Sequence, residues 1–123
     1  MNLTKLSHCF LTCMLITACA STHNLVTDGP TFMGGGYHVS ESDGGGYRIY
    51  TKSNASPWTN FGSVRDTWEN LAKEKCGDSG YTELDVDEYS YESQPAMWGM
   101  LKYLISVKSG IAACNTTSVN ATE

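Results

Sequence analysis

The chain has 123 residues, with 13 acidic against 8 basic side chains and a formal net charge of −5. This length suits one domain with a modest core. The acidic balance excludes nucleic acid, or an anionic lipid surface, as a bulk electrostatic partner.

The first element is a leader over residues 1–18. Lys5 is its one charge, residues 9–16 are its apolar stretch, and small residues follow. Those are the parts of a secretory signal, and the stretch is too short to cross a bilayer as a helix. The run Leu15-Ile16-Thr17-Ala18-Cys19 resembles the lipobox of bacterial lipoproteins. That resemblance implies a diacylglycerol thioether on the Cys19 sulfur and cleavage just before Cys19. Ala18-Cys19-Ala20 also fits the small-x-small pattern of ordinary signal peptidase, which would release a soluble protein beginning at Ser21. Both cuts imply export, and cleavage before Cys19 removes Lys5 and takes the formal charge to −6.

The expected organisation is therefore signal peptide 1–18, lipid anchor and tether 19–31, a single domain 32–115 and a flexible tail 116–123. Residues 20–31 are polar, and such a tether reaches at most about 40 Å. Near the tail lie the sequons Asn115-Thr116-Thr117 and Asn120-Ala121-Thr122, which matter only in a eukaryotic secretory pathway.

Of five cysteines, Cys9 and Cys13 leave with the leader and Cys19 takes the lipid, so Cys76 and Cys114 remain. An even remainder in an oxidising compartment points to a disulfide, with a metal pair or a reactive thiol as the alternatives. Closing a loop of this length is worth roughly 4 kcal/mol in the chain-entropy description.

Within the domain, Gly34-Gly35-Gly36-Tyr37 recurs as Gly44-Gly45-Gly46-Tyr47, and each copy opens an alternating stretch. Tyr37, Val39 and Glu41 share one face, as do Tyr47, Ile49 and Thr51, with turn chemistry at residues 42–45. A β-hairpin is expected. The glycines lack the Gly-Lys-Ser/Thr ending of a phosphate cradle, which leaves turn and bulge geometry.

After a loop over residues 54–60, Phe61, Val64, Trp68, Leu71, Ala72 and Cys76 recur at helical spacing. Ser63 with Asp66 is the expected capping pair, Cys76-Gly77 the expected stop, and Trp68 a core anchor. The stretch 81–92 alternates again. Leu84 and Val86 face one way and Glu83, Asp85 and Asp87 the other, and a bulge near Asp87 or Glu88 would return Tyr89 and Tyr91 to the apolar side. Carboxylates on alternate positions could also hold Ca²⁺, although a solvated face explains them without a ligand. Residues 94–99 form a loop in which Met97 and Trp98 either cap the core or form an exposed patch. Residues 101–107 and 111–114 read as two strands flanking a turn at Lys108-Ser109-Gly110.

The expected fold is α+β: a small antiparallel sheet of four to five strands with one helix on one face, in the order β-β-α-β-β. With Gly34 to Tyr37, Gly46-Tyr47, Pro57-Trp58, Trp68, Cys76, Tyr81 to Leu84 and Cys114 in place, the chain resembles a set of small Gram-negative envelope lipoproteins. The resemblance implies fold and location, on the periplasmic face of the outer membrane, and no activity.

No catalytic residues, metal ligands or cofactor are assigned. His23 and His38 are the physiological bases after the leader, and no serine or threonine has a visible His-Asp partner. The expected role is that of a non-enzymatic lipoprotein, held to the membrane by lipid on Cys19 and binding an envelope protein or supporting an assembly. Trp58, Met97 and Trp98 are the candidate contacts. The alternatives are a soluble secreted module that binds a small ligand or Ca²⁺ through the acidic strand, and a small hydrolase built on His38 with carboxylates.

Overall fold

The computed structural model describes residues 23–93 and 102–116. Strands β1 (Gly36–Ser42) and β2 (Gly46–Lys52) form the expected hairpin, antiparallel from Gly36 opposite Lys52 to Ser42 opposite Gly46. Its three-residue loop turns at Gly44 and Gly45, whose φ values of 90° and 87° favour glycine. Helix α1 (Phe61–Cys76) follows, then one 3₁₀ turn (Gly77–Ser79), and then strands β3 (Tyr81–Ser93) and β4 (Tyr103–Cys114). The four strands make one antiparallel sheet in the spatial order β1-β2-β4-β3, with α1 packed on one face.

The helix lies over β2 and β4. The Thr51 hydroxyl donates to the Val64 carbonyl at 3.1 Å, and the Trp68 indole N–H donates to the Ile49 carbonyl at 3.1 Å. Around these bonds Ile49, Trp68, Leu71, Ala72 and Ala112 form the core, with Cys76 and Tyr81 packed against it. The helical spacing thus buries the expected face.

Four details differ from the sequence reading. The N-cap is Asn60, whose side-chain oxygen accepts from the Ser63 N–H at 3.3 Å, so Ser63 lies inside the first turn and does not cap it. The bulge falls between Leu84 and Asp87, slightly earlier than expected, and Asp85 takes a φ of 50° there.

Residues 108–110 form no turn. They lie in the middle of a twelve-residue strand, with Thr51, Tyr50 and Ile49 opposite them on β2. The fold also begins before residue 32. The Leu25 N–H donates to the Tyr37 carbonyl at 2.7 Å and the Tyr37 N–H to the His23 carbonyl at 2.9 Å, so part of the expected tether lies along β1. Gly36 permits this close approach, since a Cβ there would come within 2.9 Å of the His23 carbonyl oxygen.

Candidate functional site

Strand alternation gives the sheet two unlike faces. Tyr47, Ile49 and Thr51 of β2 and Ser106, Lys108, Gly110 and Ala112 of β4 lie on the helix side. The opposite face carries Arg48, Tyr50 and Lys52 from β2, Ile105, Val107, Ser109 and Ile111 from β4, and Leu84, Tyr89 and Tyr91 from β3. No helix covers this face among the described residues, yet Val107 is fully buried and Ile105 nearly so.

Tyrosines account for that burial. Ile105 and Val107 form a second apolar cluster with Ala55, against which Tyr50 and Tyr103 pack. Tyr89 is the register partner of Val107 and Tyr91 that of Ile105, and the two rings lie 6.5 Å apart. Burial pushes the Tyr50 phenol up to about 12, helped by Tyr89, which also hydrogen-bonds to it, and by Tyr91. Burial raises Tyr91 too, with Tyr89 adding to the shift. Tyr89 and Tyr91 still expose about 40 % of their surface, and Leu84 exposes 48 %. The open face is thus an aromatic platform flanked by the cations of Arg48 and Lys52.

The acidic residues of β3 are divided by the bulge. Glu83, Glu88 and Glu92 reach the helix side or the sheet end, where each meets a cation. Lys108 Nζ lies 3.2 Å from Glu83, Lys102 Nζ lies 3.2 Å from Glu92, and Arg65 donates twice to Glu88, at 2.9 and 2.7 Å. The hydrogen bond from Arg65 holds the Glu88 carboxyl below its ordinary range. Among the described residues no group of three His, Cys, Asp or Glu side chains is placed to hold a metal ion. Of Glu83, Asp85 and Asp87, the alternate carboxylates that suggested Ca²⁺, Glu83 is the one paired with Lys108.

Beyond the edge of α1, a cleft of about 250 Å³ opens over β1. Tyr37, Val39, Tyr47 and Leu71 line it, with Glu41 and Lys75 also contributing. It exists because the helix sits over β2 and β4 and leaves the β1 side of the sheet uncovered.

Of the residues singled out in the sequence, Cys76 and Cys114 are joined, with sulfurs 2.02 Å apart and Cα atoms 5.1 Å apart. Trp58 is 69 % exposed in the loop before α1. His38 lies opposite Tyr50 in the ladder, on the open face. Cys19, Met97 and Trp98 lie outside the described residues. Sequence reasoning missed the joint role of Tyr50, Tyr89 and Tyr91. The alternation of Arg48, Tyr50 and Lys52 against Tyr47, Ile49 and Thr51 carried half of that signal, but their juxtaposition with β3 required the spatial order of the strands. No described helix is long and apolar enough to cross a membrane. No family model, curated protein or solved structure matches the chain.

Proposed function

We propose that this chain is a lipid-anchored protein of the bacterial envelope, attached through Cys19, with a non-enzymatic role in binding another envelope protein. The observation that carries the reading is the Cys76–Cys114 disulfide. It accounts for two of the three cysteines after the leader and leaves Cys19 as the remaining one, at the position where a lipobox needs it.

The open sheet face supports a binding role. Aromatic residues and arginine are enriched at the centres of protein interfaces, and this face offers Tyr50, Tyr89 and Tyr91 beside Arg48 on a rigid, four-stranded scaffold. Its partner would cover a surface that tyrosines shield among the described residues.

Two measurements test the reading. Cys19→Ser is expected to abolish lipid labelling and membrane retention, and retention of the unlabelled variant would refute the anchor. A photo-crosslinking amino acid at Tyr91 is expected to join a discrete envelope protein in living cells, whereas one at Asp66 on the exposed helix surface should not. Equal products from the two sites, or none from Tyr91, would refute the binding face.

A further inference from the structure

We infer that the end of the domain built from residues 29–34 and 53–60 rests in the headgroup layer of the bilayer, with Phe32 and Trp58 as the inserted side chains. The inference rests on the anchor proposed at Cys19.

Three observations carry it. First, the chain arrives at this end. His23 is bonded beside Tyr37 at the start of β1, so only three residues lie between it and Cys19, a reach of at most about 14 Å. A lipid on Cys19 therefore holds this end close to the membrane, far more tightly than a twelve-residue tether would.

Second, large apolar side chains project from this end: Phe32 is 97 % exposed, Trp58 69 % and Met33 41 %. Their exposure is built into the fold. The Thr31 hydroxyl bonds to the Asn54 side-chain oxygen, the Ala55 N–H donates to the Met33 carbonyl at 2.9 Å, and Ser56 and Leu104 exchange two backbone bonds at 3.0 and 2.7 Å. The two loops form one fixed tip.

Third, neither loop contains Asp, Glu, Lys or Arg, in a chain with 21 such residues. Seating these loops among lipid headgroups would desolvate no charged side chain of their own, and tryptophan and phenylalanine favour that layer. Attraction to anionic lipid is not needed, which suits a protein of negative net charge.

The test uses the full-length protein, produced in a Gram-negative host and reconstituted in phosphatidylcholine vesicles with or without bromine on the acyl chains. Subtracting the fluorescence of Trp58→Phe from that of the wild type isolates Trp58 from Trp68 and Trp98. The Trp58 signal is expected to fall at least about twofold in brominated vesicles, and Phe32→Ser should relieve part of that quenching. Both side chains are exposed, so both variants should unfold at the wild-type urea concentration. The mass of the N-terminal peptide is read from the same preparation. An unquenched Trp58 in protein that carries diacylglycerol on Cys19 overturns the tip and leaves the anchor standing. Absence of the lipid overturns the anchor and the tip with it.

Discussion

Lys108 sits where a lysine is least expected, 4 % exposed between the sheet and the helix. Its stem is covered by the core, while its ammonium lies 4.5 Å from the centre of the Trp68 ring and 3.2 Å from Glu83. The two partners differ in burial, since the Glu83 side chain keeps 39 % of its surface in solvent. Removing each should therefore have unequal effects. Lys108→Met is expected to change stability by less than about 1 kcal/mol, because it leaves Glu83 able to hydrate. Glu83→Gln is expected to cost about 1–2 kcal/mol, because it weakens the compensation of a buried cation. Urea unfolding of the two variants checks the order, and a larger loss for Lys108→Met would show that the ion pair itself stabilises the fold.

At the scale of elements, β3 and β4 show how far the sequence could be read. Helix α1 was legible because its buried residues repeat at local spacing and a glycine follows Cys76. The hairpin was legible for the same reason. In contrast, Lys108-Ser109-Gly110 has the composition of a turn and the position of a central strand. What overrides the local signal is distant. Trp68 and Glu83 accept the lysine, and Val86 in the bulge comes so close to Gly110 that a Cβ there would meet its Cγ2 at 3.0 Å. The bulge itself was legible from the phase change between Leu84 and Tyr89, but the tyrosine arch it creates was not, since β4 separates β2 from β3. That arch is open to test by pH. A phenol held near 12, against an ordinary value of 10.0, favours the protonated form in the folded state. Its contribution is complete below about pH 10 and is lost as pH rises toward 12. Between about pH 10 and pH 12 the urea midpoint should fall more steeply for the wild type than for Tyr50→Phe. Parallel falls would mean that Tyr50 titrates as an ordinary exposed phenol.

Across the whole molecule the two ends are built differently. One end gathers the N-cap of α1, the start of β1 and the uncharged loops that carry Phe32 and Trp58. The other gathers the C-terminus of α1, the hairpin loop and the last residue of β4, closed by Cys76–Cys114. Among the described residues a single helix covers the four-stranded sheet and leaves this second end with little apolar cover, and Cys76 is only half-buried. The disulfide supplies there what packing does not. It spans 38 positions, so reducing it restores to the unfolded chain an entropy worth about 4 kcal/mol, a large part of the 5–15 kcal/mol typical of small domains. The Cys76→Ser, Cys114→Ser double variant is therefore expected to unfold at a markedly lower urea concentration than the wild type. Reducing the wild type should bring it to the same midpoint as that variant. Lys108 and Glu83 sit deeper in the sheet than the bridge, so their unequal effects should persist in the reduced protein. Coincident midpoints for the oxidised wild type and the double variant would show that packing of α1 alone closes this end.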